Sequence, residues 1–367
     1  MSACDACLRR TELIAAVAPR LDIEWRRRSA PAGVLALPDE DLLALDPTGC
    51  AERGFAAFSA AGARDRAERA GLGLICRCDD GYPAGLLELA DAPAVLHVAG
   101  RAEALAAEAA VAIVGARRGT PYGIEIARAL GRSLAAAGVP VVSGMALGID
   151  SAAHVGALDP PDPPAPLAVL AGGADVPYPA SRRRLYARLV ERGCVVSELP
   201  PGFAAFRWCF VARNRIIAAL AALTVVVEAA ERSGSLTTAD FAAQVGRPVL
   251  AVPGPITSRF SAGTNGLIAA GAGVVRGTRD VLDQLRGPTA AGARPASPPA
   301  VPIEPRLRQL LDAVERGHGS LAELVTRDAE SAQVLRDLTD LELRGLVRRD
   351  FGGRYVRALG DDGAGLP

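Results

Sequence analysis

The stretch from residue 111 to residue 123 reads VAIVGARRGTPYG and combines a strand, a turn and a helix start. Four apolar residues in succession, rich in Val and Ile, are typical of a strand buried on both faces. Gly115 then permits a tight turn, and Thr120 followed by Pro121 is a typical helix N-terminus, with a hydroxyl cap and a proline in the first turn. The stretch therefore predicts one strand–turn–helix unit of an α/β sheet.

Six further short apolar runs follow along the chain, separated by segments with helical spacing: 139–143, 167–171, 194–197, 223–228, 248–252 and 273–276. Continuous apolar strands that alternate with amphipathic helices predict a Rossmann-like, doubly wound, mostly parallel sheet covered on both faces. Ligands of such sheets bind beyond the carboxyl ends of the strands. The residues that follow each run are therefore the candidate site residues.

The turn after the first run suits an anion. Gly115 would allow a ligand to approach the backbone, and Arg117 and Arg118 would place forked guanidinium donors beside a helix N-terminus. An ordinary strand-to-helix turn with surface arginines explains the same residues equally well. The G-x-G-x-x-G pattern is missing, which disfavours a bound dinucleotide.

The turn after the second run contains Ser143 and Gly144, which predict a tight turn with exposed backbone amides. Asp150 and His154 are four residues apart and could face each other on a helix. They could form a catalytic dyad, or Asp150 could make a local hydrogen bond that fixes the turn; the second interpretation needs fewer assumptions.

Two more segments add donors. Ser233, Gly234 and Ser235, downstream of Glu228, could form a nest of donors for a phosphate or could simply cap a helix. Residues 207–215, RWCFVARNR, interleave cationic and aromatic side chains, a mixture that suits single-stranded nucleic acid. One of these arginines could instead form a structural salt bridge. The arginines at 182–184 extend the basic supply or form a solvated charge run.

The charge composition supports an anionic partner once it is divided along the chain. All 41 basic residues are Arg, and they balance 41 acidic residues. Residues 1–110 hold 12 Arg against 17 acids, whereas residues 111–285 hold 17 Arg against 12 acids. The neutral total hides a basic centre, so it does not argue against nucleic acid. The absence of Lys excludes a Walker A loop and a Schiff-base enzyme.

Cysteine usage bears on compartment and metal binding. Seven Cys in a long chain indicate a reducing cytoplasm rather than a disulfide framework, and the start of the sequence lacks the apolar core of a signal peptide. The longest apolar run, 216–227, is too short to cross a bilayer, so we expect no membrane association. Cys4-x-x-Cys7 and Cys76-x-Cys78 could ligate zinc in principle. The 68-residue gap between the pairs and their irregular spacing lead us to predict no metal.

The chain divides into five predicted segments. Helical spacing predicts a small N-terminal helical domain at 1–70, and the Rossmann-like domain spans 71–285, with 72–100 as an extended connecting element. A Pro- and Gly-rich linker covers 286–300. Residues 301–358 predict a winged helix, with helices at 305–316, 320–327 and 330–344 and a hairpin at 346–357; 359–367 is a tail. The third of these helices carries more acids than arginines, which favours a protein contact or an auxiliary role over DNA. The wing could still touch DNA weakly through its arginines, Arg348, Arg349, Arg354 and Arg357.

Candidate catalytic residues are few. The sequence has three His and no Lys, and among strand-end residues it leaves Glu198 and Glu228. One alternative function is a nucleotide-processing Rossmann-like hydrolase with Glu228 as the acid/base, but the P-G-G-x-G-T-x-x-E run of such enzymes is missing. Another alternative is a transcription regulator that reads duplex DNA through the winged helix, which the acidic third helix disfavours.

Taken together the motifs resemble the DNA-processing protein A family (DprA, also called Smf), over about residues 72–358. The resemblance rests on GARRGTPYG (115–123), SGMALGIDSAAH (143–154), YPASRRRL (178–185), SELPPG (197–202), RNRIIAAL (213–220), VVVEAAERSGSLTTA (225–239), GRPVLAVPGP (246–255) and SAGTNGLIAAGA (261–272). It implies a cytoplasmic, non-catalytic protein without a cofactor that binds single-stranded DNA. Such a protein would form a homodimer through the Rossmann-like domain, protect incoming DNA in natural transformation and load the recombinase RecA.

The resemblance also implies where DNA binds. The family's pocket falls on Arg117 and on the turn at Ser143, with a further basic position after the Tyr-Pro pair, where this chain has arginines and a Lys is common. An aromatic-Pro pair usually precedes the R-N-R motif, but Val211-Ala212 stands there in this chain, which shifts the expected base stacking to Phe210. The candidate DNA-binding residues are Gly115, Arg117, Arg118, Ser143, Gly144, Arg182, Arg183, Arg207, Phe210, Arg213, Asn214, Arg215, Ser233, Gly234 and Ser235.

Overall fold

The computed structural model describes residues 3–27, 32–287, 303–325, 331–349 and 353–358. These residues form two compact units, with the boundary between Val281 and Leu282. Helix α13 (Thr278–Arg286) contains the first residue of the predicted linker. The linker from residue 288 onward lies outside the described residues, and so does the predicted tail at 359–367.

A nine-stranded sheet forms the centre of the first unit, in the order β1-β2-β6-β5-β4-β3-β7-β8-β9. All seven apolar runs predicted from the sequence are strands of it, and they pair in parallel, which confirms the mostly parallel α/β fold. The strands are β1 (Gly73–Cys76), β2 (Val95–Gly100), β3 (Val111–Val114), β4 (Val141–Ser143), β5 (Leu167–Val169), β6 (Cys194–Ser197), β7 (Leu223–Val226), β8 (Val249–Ala251) and β9 (Gly273–Val274).

The segment 72–100 differs from the predicted connecting element, because it supplies two strands of the sheet. Strand β2 pairs antiparallel with β6, with His97 opposite Ser197, and β1 pairs antiparallel with β2. Five successive residues of β2 are buried. The two strands cover the free edge of β6, which would otherwise leave backbone donors and acceptors exposed.

Helices cover both faces of the sheet. Neighbouring residues of β6, Val195 and Val196, belong to different apolar clusters because successive side chains point to opposite faces. The helices of this unit, besides α13, are α1 (Asp5–Arg27), α2 (Ala32–Leu35), α3 (Asp39–Ala44), α4 (Cys50–Phe55), α5 (Ala60–Arg69), α6 (Ala84–Leu87), α7 (Pro121–Ala136), α8 (Ile149–Ala157), α9 (Arg183–Arg192), α10 (Arg207–Ala219), α11 (Leu236–Gln244) and α12 (Ala262–Ala269). None of the helices within the described ranges is long and apolar enough to cross a membrane.

The predicted N-terminal helices are present as α1 to α5, and they share a core with α10. Leu13 and Val17 of α1 lie in one apolar cluster with Trp208 of α10. The indole Nε1 of Trp208 donates to the carbonyl of Ala18 at 3.2 Å. Trp208 is therefore part of the packing between α1 and α10 and is not available to stack on a base.

The second unit contains α14 (Pro305–Glu315), α15 (Leu321–Leu324), α16 (Ser331–Leu343) and the antiparallel strands β10 (Val347–Arg349) and β11 (Tyr355–Arg357). Its core joins Leu311, Leu338 and Tyr355. Ser320 and Glu323 form the capping box expected from the sequence. Residues 326–330 and 350–352 lie outside the described residues, and the winged helix stays a prediction.

Candidate nucleic-acid interface

The strand order places a topological switch point between β3 and β7. The chain leaves β3 towards β4 and leaves β7 towards β8, on the opposite side. In open α/β sheets the crevice beyond such a pair of strands is the usual ligand site. The backbones there lie close together: the N–H of Ala116 donates to the carbonyl of Glu228 at 2.7 Å, and that of Ile149 donates to the carbonyl of Ala116 at 3.2 Å.

The side chain of Glu228 fills this crevice. Its Oε2 accepts from the backbone N–H of Thr120 at 2.8 Å and its Oε1 from the Thr120 hydroxyl at 2.5 Å. A Cβ on Gly123 would lie 2.3 Å from Cδ of Glu228, so only glycine leaves room for the carboxylate. Thr120 caps α7, with Pro121 in its first turn, as predicted. The carboxylate of Glu228 therefore supplies the negative charge at the N-terminus of α7.

Gly115 has a packing role in the turn after β3. A Cβ at this position would lie 2.7 Å from Cγ1 of Ile149 and 3.0 Å from the carbonyl oxygen of Glu228. The absence of a side chain therefore lets α8 pack against the turn. Gly115 is partly exposed, and the approach of a ligand to its backbone stays a prediction.

Ser143 and Gly144 are buried, so the expectation of exposed backbone amides at these two residues is wrong, whereas their contact with DNA stays a prediction. The Ser143 hydroxyl donates to the carbonyl of Ile113 at 2.6 Å, and the N–H of Gly144 donates to Oδ2 of Asp150 at 3.2 Å. Asp150 therefore fixes the turn, the simpler of the two interpretations. Burial lowers the pKa of His154 to about 4, so its imidazole is neutral at pH 7.

Arg213 lies beneath the surface formed by these turns, with 5% of the residue exposed. Its Nη1 donates to the carbonyl of Val169 at 2.6 Å, and a Cβ on Gly144 would lie 1.7 Å from the same atom. Burial lowers the pKa of the Arg213 guanidinium to about 10, and the Asp150 carboxylate opposes that shift. Arg213 is still cationic at pH 7; its guanidinium bonds the end of β5 and packs against Gly144 in the turn after β4. Its burial favours a structural role, and a direct contact of Arg213 with DNA stays a prediction.

Arg215 and Asn214 are structural as well. The Arg215 side chain is 2% exposed and pairs with Asp91 at 2.9 Å and with Glu198 at 2.7 Å. Burial alone would lower the pKa of the Arg215 guanidinium, but these ion pairs together raise it. The side chain is held away from the surface, so its assignment to DNA is corrected to the salt-bridge alternative. Asn214 donates through Nδ2 to the carbonyl of Gly234 at 3.0 Å, which holds the loop before α11.

Three side chains form a stack at the surface, which we call the Arg117 stack: Arg117, Phe210 and Tyr178. The Arg117 guanidinium carbon lies 4.9 Å from the centre of the Phe210 ring, and the Phe210 and Tyr178 ring centres lie 5.0 Å apart at 53°. Arg117 is exposed, and Tyr178 is 45% exposed. The sequence prediction included Arg117 and Phe210 but missed Tyr178, although its place just before the arginines at 182–184 was a usable signal.

Further arginines flank the stack in the sequence. Arg118 and Arg183 are exposed, and Arg182 is half-buried in the short turn before α9. Arg207 is exposed and begins α10, three residues before Phe210 and thus on a neighbouring part of the same helix face.

The loop before α11 holds Ser233, Gly234 and Ser235, for which the sequence allows either a helix cap or a nest of donors for a phosphate. The hydroxyls of Ser233 and Ser235 lie 2.8 Å apart and bond each other, and within the described contacts Ser235 makes no side-chain cap to the helix. Gly234 is exposed between them. The capping explanation therefore does not account for these residues, and the phosphate explanation remains a prediction.

Comparison with known proteins places this architecture in one family. The family model for DNA recombination-mediator protein A matches residues 73–286. A putative DNA processing protein DprA from Mycobacterium tuberculosis is 40% identical over 311 residues, 83% of this chain and 74% of that protein. Protein Smf from Escherichia coli is 37% identical over 293 residues, 75% of each chain.

Two solved structures are similar in fold and sequence. DprA from Streptococcus pneumoniae superposes with a TM-score of 0.60 and 30% identity, over 78% of this chain and 99% of that one. DNA processing protein A from Helicobacter pylori, whose structure concerns its single-stranded DNA binding mode, has a TM-score of 0.53 and 28% identity, over 59% and 97%. The sheet, the motifs at its strand ends and these matches agree: the chain belongs to the DNA recombination-mediator protein A family.

Proposed function

We propose that this protein binds single-stranded DNA at the Arg117 stack and acts in recombination by binding rather than by catalysis. The observation that carries the proposal is the stack itself: an exposed guanidinium and an exposed phenol both contact one phenylalanine ring. Base stacking on rings and phosphate binding by arginine are the two interactions that proteins use for single strands.

The exposed groups divide into two roles. Arg117, Arg118, Arg183 and Arg207 supply forked donors for phosphates, and the ring of Tyr178 offers an accessible face for a base. In this arrangement Phe210 supports both neighbours and contributes its remaining exposed edge. Neither interaction reads base identity, so the expected binding tolerates any sequence.

The buried residues act indirectly in this proposal. Arg213 holds the end of β5, Asn214 holds the loop at Ser233 to Ser235, and Arg215 anchors α10, the helix that carries Phe210. The R-N-R motif then works as a support for the stack. Arg182, Ser233 and Gly234 remain in the proposed contact set, at its margin.

The alternative of a nucleotide-processing hydrolase has less support. Glu228 would be its acid/base, but this residue is 4% exposed and both of its carboxylate oxygens accept hydrogen bonds from Thr120. A general base needs access to a water or a substrate proton. The geometry favours a role for Glu228 in fixing the switch point.

We further propose the finer features implied by the family resemblance. The protein acts in the cytoplasm on incoming DNA in natural transformation, forms a homodimer through the Rossmann-like domain at 71–285 and loads RecA. The helices at 1–70 then support that domain. The winged helix at 301–358 contacts protein, because α16 carries three acidic residues against one arginine and so offers phosphates little attraction.

A titration of the full chain tests the binding proposal. Fluorescence anisotropy with labelled single-stranded and double-stranded DNA of the same length, at several salt concentrations, should show tighter binding of the single strand. The logarithm of the association constant should fall linearly with the logarithm of salt concentration. Equal affinity for both forms, or sustained release of free base from nucleoside monophosphates, would contradict the proposal.

A further inference from the structure

Four cysteines form a cluster at the start of α1, away from the Arg117 stack. The Sγ atoms of Cys4, Cys7, Cys76 and Cys78 all lie within 4.8 Å of one another. Cys4 precedes α1, Cys7 lies in its first turn, Cys76 is the last residue of β1, and Cys78 lies in the turn that follows. The fold thus brings two short segments side by side, which removes the long sequence gap as a reason to expect no metal.

The sulfur spacing fits one tetrahedral ion. A zinc ion with four thiolates at about 2.3 Å places neighbouring sulfurs about 3.8 Å apart. In this structure Sγ of Cys78 lies 3.7 Å from that of Cys7 and 3.9 Å from that of Cys4. A disulfide would require about 2.0 Å, and all four cysteines are free thiols.

We propose that Cys4, Cys7, Cys76 and Cys78 bind one Zn²⁺ in a structural site. Four protein ligands leave no open position, which is the arrangement of structural rather than catalytic zinc. Cys7 and Cys76 are buried, whereas Cys78 is exposed, so an ion can enter from the Cys78 side. The ion joins α1 to β1, and through α1 it supports the helix packing against α10.

The surroundings hold both segments in place. The N–H of Cys4 points at Sγ of Cys76 at 3.5 Å, the kind of contact that stabilises a thiolate ligand. Arg64 of α5 donates to the carbonyl of Ala3 at 2.7 Å, and Oδ2 of Asp79 accepts from the N–H of Cys76 at 2.7 Å. The site is therefore built before the ion arrives, apart from the deprotonation of the thiols that binding requires.

Metal analysis of the full-length protein tests the proposal. Protein purified under reducing conditions without chelator should contain about one zinc per chain. Replacement by Co²⁺ should give the intense visible absorption of tetrahedral cobalt thiolate. A chelator should lower the Tm of the wild-type protein, because the ion binds the folded chain.

Two variants and one control locate the ion. Cys78→Ser changes an exposed ligand without burying a new polar group, and the double variant Cys4→Ser, Cys78→Ser removes two ligands. Zinc content should fall about tenfold or more in the double variant. Cys50→Ser, an exposed cysteine on α4 outside the cluster, should keep the wild-type zinc content.

Three results would overturn the proposal. The first is a reduced wild-type protein without zinc and without the cobalt absorption. The second is equal zinc content in the double variant and in the wild type. The third is a disulfide among these cysteines, seen by intact mass, that persists although the protein is purified with reductant and without oxygen. None of these readouts depends on DNA binding, so the proposal can fail while the proposed function holds.

Discussion

The carboxylate of Glu228 accepts two hydrogen bonds from Thr120, one from the backbone N–H and one from the hydroxyl. The contact joins the segments that follow β7 and β3, the two strands on either side of the switch point. The carboxylate thereby takes the place at the N-terminus of α7 where many α/β proteins bind a phosphate. We therefore expect DNA to bind at the Arg117 stack and not at the N-terminus of α7.

Replacing Glu228 by Gln should destabilise the fold by roughly 1–2 kcal/mol, because a charged acceptor at a helix N-terminus becomes neutral. Urea denaturation measures the loss. Single-stranded DNA affinity per folded molecule should stay close to that of the wild type. A turnover of nucleoside monophosphates that the variant abolishes would instead assign Glu228 to catalysis.

Arg117→Ala should weaken single-stranded DNA binding for all sequences alike and reduce the salt slope by about one, as expected for the loss of one phosphate contact. Anisotropy titrations across a salt series measure both quantities. Arg276→Ala is the matched control, since that exposed arginine pairs with Asp280 next to β9 at the far edge of the sheet. An unchanged slope in the Arg117 variant would exclude this arginine from phosphate binding.

Tyr178→Ala should weaken binding by roughly 1–3 kcal/mol through lost base stacking. The salt slope should remain at its wild-type value, because no charge is removed. Tyr178→Phe keeps the ring and should bind as the wild type does. If the Phe variant loses as much affinity as the Ala variant, the hydroxyl rather than the ring makes the contact.

Arg215→Met should lower the free energy of unfolding by about 3–5 kcal/mol, because it leaves Asp91 and Glu198 buried without their partner. Chemical denaturation measures the loss, and soluble yield reports it if the variant folds poorly. Folded Arg215→Met protein should retain the wild-type salt slope. A slope reduced as much as in the Arg117 variant would mean that Arg215 reaches the DNA after all.

Acidification should destabilise the protein through His154, because burial lowers the pKa of its imidazole from an ordinary value of 6.5 to about 4 in the folded chain. The unfolded chain takes up a proton in that interval, whereas the folded chain keeps the imidazole neutral. The stabilisation is therefore complete above about pH 6.5 and is lost progressively as the pH falls towards 4. Denaturation of wild type and His154→Leu at pH 7 and pH 5 should show a smaller loss in the variant; equal losses would rule out this role.

Local patterns were enough for much of the fold. The seven apolar runs and the Thr120-Pro121 helix start depend on interactions within a few residues, and the structure has all of them. The sequence does not predict strands β1 and β2, because a segment that mixes apolar residues with turn residues becomes a strand only when a neighbouring strand edge offers hydrogen-bond partners. Here that edge belongs to β6. Strand pairing is a property of the assembled sheet.

The candidate site, like the fold, is predictable from the sequence only in part. Arg117 and Phe210 follow from residue type and position, and both belong to the exposed stack. The sequence by itself determined that arginines and rings gather at the carboxyl ends of the strands. Only the tertiary structure decided that Arg215 is buried, since its partner Asp91 lies 124 residues away in sequence. The same holds for Cys4 and Cys76, 72 residues apart, because long-range contacts arise from the packing of whole elements and no local spacing encodes them.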